Sequence, residues 1–183
     1  NPEIIALGHT VFYLFLILAG RLNIGQGDAA QRVLISFDQA DALAAHVFQK
    51  SIFTDIWLPG HFVFQGLIVK ALWALHCSDI SVYLKALQMA SVLMGMIGVL
   101  ALARAAALSI NLESGAAAGI ALCSLPALLL LLPSTMAEMH TFGFLGVGLW
   151  LYMRHLHGGG GITALLFSAL AFLLANFMRI EVF

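Results

Sequence analysis

Long apolar runs separated by short polar breaks set the pattern of this chain. A bilayer-crossing helix needs about 20 mostly apolar residues. Residues 4–20 satisfy this, with His9 as the one ionisable side chain. Residues 84–103 satisfy it too, with Lys85 at the head and Arg104 just past the end. Residues 115–132 and 141–153 read as a pair of spans broken at Pro133, and 162–178 as a last one. Gly95, Gly98, Gly115, Gly119, Gly143 and Gly146 recur at three- or four-residue spacing. Small residues so spaced let membrane helices approach closely.

Residues 21–55 follow another rule. Asp28, Asp38, Asp41 and Asp55 gather there with Arg32, His46 and Lys50. Val33, Leu34, Phe37, Leu43, Val47 and Phe48 recur at roughly helical spacing, which predicts amphipathic helices lying along a membrane surface. Residues 58–75 are apolar enough to span, but Pro59, His61, Gln65 and Lys70 interrupt them. Arg154, His155 and His157 before Gly158 to Gly161 fit a cytoplasmic turn by the positive-inside rule. Counting back, 84–103 runs inward and 4–20 outward. Residues 21–83 then form one long outer loop, and 58–75 a juxtamembrane helix. The expected fold is an all-α membrane protein of about five transmembrane helices, with amphipathic and juxtamembrane helices in that first outer loop. A chain starting at Asn1 and stopping at Phe183, with no evident cleaved leader, reads as part of a longer protein.

Composition supports lipid as the solvent. The chain is 62% hydrophobic and 9% charged, against about 25% charged in soluble domains. Its net charge of -1 offers no basic footprint for nucleic acid. Cys77 and Cys123 lie in or beside apolar runs, form no CxxC motif, and read as small apolar fillers.

Several short elements stand in a telling order. Gly27-Asp28-Ala29-Ala30-Gln31-Arg32 follows the first span, and Trp57-Leu58-Pro59-Gly60-His61 opens the apolar helix of the loop. Pro133-Ser134-Thr135-Met136-Ala137-Glu138 opens a span ending in Tyr152-Met153-Arg154, and the chain closes on Met178-Arg179-Ile180-Glu181. This order resembles the GT-C superfamily of membrane glycosyltransferases, above all its bacterial branch related to protein O-mannosyltransferases and aminoarabinose transferases. There are two departures: Asp28 is followed by Ala29 rather than a second acid, and Leu-Pro-Gly replaces Pro-Pro-Leu.

The resemblance implies sugar transfer from a polyprenyl-phosphate donor to a glycan, lipid or protein acceptor. The reaction would take place on the outer face of a bacterial cytoplasmic membrane. It implies Asp28 as the base that activates the acceptor, with Glu138 facing it across the cavity. The plain alternatives are a helix N-cap for Asp28 and a local cap or interface role for Glu138. Arg32, Lys85 and Arg179 are candidates for the donor phosphate, since a guanidinium fork suits phosphate oxygens. Surface pairing and interface anchoring are their plain alternatives. Asp55, Trp57, His61, His140 and Glu181 are candidate substrate contacts. Trp57 also suits an interface anchor and His61 an interfacial histidine. Glu138 and His140, two apart, share a helical face poorly. Together with the absence of a Cys/His framework, this leaves no metal ligand assigned and a divalent ion only as an open alternative. The rival classes are a transporter or channel subunit, which intramembrane His9 and Glu138 would suit, and a non-catalytic membrane scaffold. Gly158 to Gly161 lacks the pattern of a phosphate loop.

Overall fold

The computed structural model describes residues 2–21, 35–37, 40, 59–135 and 137–178. The described residues are helical, with no strand among them. The helices are α1 (Pro2–Leu18), α2 (Pro59–Ala74), α3 (Ile80–Ser109), α4 (Leu112–Cys123), α5 (Pro126–Leu131), α6 (Ala137–Leu156) and α7 (Gly161–Met178). Residues 35–37 add a helical turn.

Two helices among the described residues, α3 and α7, are long and apolar enough to cross a membrane, each with mean hydropathy 2.0. The helices α1 and α4 are apolar but shorter. The expected span 115–132 is not one helix. It breaks at Pro126 rather than running on to Pro133. The pyrrolidine ring disfavours helical geometry in the residue before it. Leu125 is accordingly extended (φ -68°, ψ 120°), and Pro126 restarts the chain as α5. The span expected over 84–103 runs instead from 80 to 109. Asp79 caps it, its carboxylate accepting from the Ser81 N–H at 2.8 Å, and Arg104 does not end it.

Local signals set the other ends. At the close of α1, Gly20 adopts φ +66°. This lets the Arg21 N–H reach the Leu16 carbonyl and the Gly20 N–H reach that of Ile17, a left-handed cap that glycine adopts without steric cost. Between α6 and α7, Gly158 (φ +75°) turns the chain, and Arg154 Nε donates to the Gly159 carbonyl at 2.8 Å. Asn111 caps α4 by accepting from the Ser114 N–H.

The central packing is α3 against α6. A Cβ added to Gly95 would meet Leu132 and Met139, one on Gly98 would meet Phe142, and one on Gly146 would meet the Gly98 backbone. Arg104 lies over the Trp150 ring. Gly95 faces Met139, Gly98 faces Phe142 and Arg104 faces Trp150, so α3 and α6 run parallel. Arg104 reaches Glu3, and Lys85 reaches the Leu18 carbonyl, so α1 runs antiparallel to α3. The short turn at 157–160 returns α7 beside α6, where Ser168 Oγ donates to the Gly148 carbonyl. The core between α1, α3, α5 and α6 is built of Tyr13, Ile17, Val92, Met96, Val99, Leu132 and Met139.

At 30 residues, α3 is about 45 Å long, well beyond the roughly 30 Å of a hydrocarbon core. Because α6 begins opposite Gly95, the first turns of α3 stand clear of it. There α2 packs, with Val69 against Tyr83 and Leu87 in a second small core that also takes Ala40. Phe37 joins them, its ring 5.3 Å from Tyr83 and 6.5 Å from Trp73. A piece of the first loop is thus fixed on α2 and the head of α3.

Candidate functional site

The described candidate residues gather toward one end of the bundle. That end holds the close of α1, the head of α3, the start of α2, the start of α6 and the close of α7. His61 lies in the first turn of α2, and Glu138 and His140 in the first turn of α6. Gly60 makes the docking of α2 feasible: a Cβ there would lie 2.5 Å from both the Phe177 carbonyl and its ring. The absent side chain lets α2 start against the last turn of α7, and His61 is carried inward beside α6.

His61, a candidate substrate contact or interfacial histidine, is buried inside the bundle with 1% of its surface exposed, and His140 has none exposed. The two imidazoles meet edge to face with ring centroids 5.0 Å apart. Phe64 stacks edge-on against His140 at 4.9 Å, and Phe62 against His61 at 5.5 Å. Rings on two helices far apart in sequence are thus packed as one aromatic cluster. Glu138, two residues before His140, is half-buried, and His61, Glu138 and His140 each make further interactions. A neutral imidazole has one nitrogen that donates and one that accepts, so the pair brings both functions to this buried end.

Gln65, one turn beyond His61, ties this end together. Its amide Nε2 donates to the Thr135 carbonyl at 3.0 Å, just before α6. Its Oε1 accepts from the Ser36 hydroxyl at 2.7 Å. All three residues are buried. One side chain therefore fixes the first-loop turn, α2 and the entry to α6 relative to one another. Sequence reasoning missed this role. Gln65 entered only as an interruption of an apolar helix, although a glutamine in an otherwise apolar stretch calls for hydrogen-bond partners once buried. Thr135 and Ser36 carried no signal of their own.

Lys85 points its Nζ toward the Leu18 carbonyl at 3.4 Å, where a cation suits the carbonyl end of a helix. Just outside the same end, the carboxylate of Asp79 is held below its usual pKa range. The causes are the Ser81 N–H, then the Ser81 hydroxyl at 2.8 Å, and more weakly the charge of Lys85. Asp28, Arg32, Asp38, Asp41, Asp55, Trp57, Arg179 and Glu181 lie outside the described residues. So do the amphipathic helices expected over 21–55, apart from residues 21, 35–37 and 40. Among the described residues, no group of three or more His, Cys, Asp or Glu side chains is placed to hold a metal ion.

The chain matches no family model, no curated protein and no solved structure.

Proposed function

We propose that this chain is a multi-pass membrane glycosyltransferase unit. It moves a sugar from a polyprenyl-phosphate donor to an acceptor at the bundle end that carries His61 and His140. The observation behind this reading is the meeting of two elements remote in sequence. The first turns of α2 and the entry and first turn of α6 come together there, through the His61–His140 contact and the Gln65–Thr135 bond. Ser36 is bonded into the same assembly, and Asp28 precedes it by eight residues in the sequence. A transferase of this kind needs that convergence of the first loop with the head of a later span.

A bilayer-crossing bundle is supported by what the helices leave uncovered. A core helix of a soluble protein is mostly buried, but the apolar window of α7 is 28% buried. Ile162, Leu166, Phe167, Leu173 and Phe177 are exposed along it, as are Leu7, Val11, Phe12 and Phe15 along α1. Apolar faces of this extent are stable only when covered by lipid or by other protein. In this reading α1, α3, α4 with α5, α6 and α7 give five crossings. The antiparallel run of α1 and α3 and the parallel run of α3 and α6, with α4 and α5 carrying the chain back between them, fit it. The polar segment after α1 and the helix α2 then share one side, the outer face of a cytoplasmic membrane.

In the proposed chemistry, Asp28 takes the acceptor's proton, and Arg32 or Arg179 meets the donor phosphate. Glu138, with the buried histidines, lines the opposite wall. The protein reconstituted in proteoliposomes with polyprenyl-phosphate sugars tests this. Asp28→Asn should lower transfer on the order of 10²- to 10⁴-fold, the usual contribution of a general base. Turnover equal to that of the unmodified protein would remove Asp28 from the mechanism.

A further inference from the structure

At the far end of the bundle from His61 and His140, a cleft of about 510 Å³ opens between α1, α3 and α4. Glu3 on α1, Arg104 on α3 and Glu113 on α4 stand around it. Its inner wall is apolar, formed by Leu100, Ala103 and Ala107 of α3 with Ala116 of α4. The volume lies in the range of small-ligand sites, about 300–1,000 Å³.

The charged rim has a definite arrangement. Arg104 Nη2 bonds Glu3 Oε1 at 2.6 Å, and the guanidinium lies 5.6 Å from the Trp150 ring centroid. Trp150 comes from α6, so the cation is held from two sides. A guanidinium has five N–H donors in a fixed fork, and 53% of the Arg104 side chain is exposed, leaving donors directed outward. Glu113, in the first turn of α4, is exposed and has no hydrogen bond or ion pair among the described residues. One fixed cation and two carboxylates thus frame an apolar cleft at the level where α3 ends.

We infer that this cleft binds a phospholipid with a primary-ammonium headgroup, of the phosphatidylethanolamine class. The phosphodiester takes the outward donors of Arg104. The ammonium, with three N–H donors, is held by Glu113. One acyl chain lies in the cleft against Leu100 and Ala107 of α3 and Ala116 of α4. The charge pattern selects this headgroup from the common ones. An anionic glycerol headgroup would meet two carboxylates and one cation. A choline headgroup carries the positive charge but has no N–H to donate. The inference rests on the bilayer-crossing reading and is independent of the transferase reading, since the cleft and the His61–His140 cluster lie at opposite ends.

The test is native mass spectrometry of the delipidated protein in detergent micelles. Phosphatidylethanolamine, phosphatidylcholine or phosphatidylglycerol of identical acyl chains is added at equal mole ratio. A charge-assisted hydrogen bond lost between headgroups should give a preference for phosphatidylethanolamine on the order of tenfold. Glu113→Gln should abolish the preference over phosphatidylcholine, and Arg104→Gln should weaken retention of all three lipids. Circular dichroism and the unfolding midpoint identify any variant that has lost its fold. The exposed Glu113→Gln is the variant on which the inference stands. Soluble glycerophosphoethanolamine should not displace the lipid, because it lacks the acyl chain. Equal retention of the three lipids, tighter binding of phosphatidylglycerol, an undiminished preference in Glu113→Gln, or displacement by the soluble headgroup would each overturn it.

Discussion

The contact between α3 and α6 is the most direct place to test the architecture, through Gly146→Ala. A Cβ at this position would sit 2.8 Å from the Gly98 carbonyl oxygen, 3.0 Å from its Cα and 3.3 Å from its carbonyl carbon. All three are backbone atoms, so no side chain can swing away. Ordinary contact begins near 3.4 Å, so the two helices must part by about 0.6 Å. A gap of 0.5–1 Å forfeits about a quarter to a half of each dispersion contact along the seam. Overpacking of this kind costs about 1–3 kcal/mol. Against it stands the gain from replacing a helical glycine with alanine, roughly 0.5–1 kcal/mol. The clash should win, leaving the variant destabilised by about 0.5–2 kcal/mol. Gly8→Ala supplies the control, since nothing lies within 4 Å of a Cβ there. It should keep only the propensity gain and be neutral or slightly stabilising. Unfolding of both variants by SDS titration in mixed micelles, followed by circular dichroism, measures the difference. If Gly146→Ala were as stable as Gly8→Ala, the close parallel packing of α3 on α6 would be wrong.

Two other consequences are open to measurement. Gln65→Leu keeps bulk but removes both hydrogen bonds that join Ser36, α2 and the Thr135 carbonyl. It should cost about 1–3 kcal/mol of stability and make the first loop more readily cleaved by protease. Equal cleavage rates would show that the loop is held elsewhere. Asp79 has a carboxylate pKa below its unfolded value. Its contribution is therefore fully present above the ordinary carboxylate range near pH 4 and fades as pH falls through the lower folded value. The unfolding midpoints of the protein and of Asp79→Ala should therefore differ at pH 6 and converge toward pH 2. A gap that widened in acid would contradict the capping role.

Much of the helical layout could be read from the sequence. Apolar runs announce α1, α3, α6 and α7 because a helix that must be covered over most of its surface carries few polar positions. The bounds of α3 were not readable in the same way. An apolar count stops at Arg104, but the alanines on either side continue the helix, and Arg104 satisfies itself with Glu3 and Trp150. Of the two prolines, Pro133 looked like the break because polar residues follow it. Pro126 breaks the helix because of its ring alone, in an apolar setting that hides it. At the site, the elements around His61 and Glu138 could be named in advance, but their contact could not. It depends on Gly60 admitting Phe177, and nothing in a single glycine announces which helix will press against it. The burial of His61 is likewise a tertiary outcome, decided when α2 docks against α6 and α7.

Because α3 and α6 lie side by side pointing the same way, no tight turn can join them, and α4 with α5 must first carry the chain back. The glycine face of α3 is therefore synthesised well before the helix that covers it. During biosynthesis that face stays uncovered by α6, while α1 and α4 can already settle on the other sides of α3.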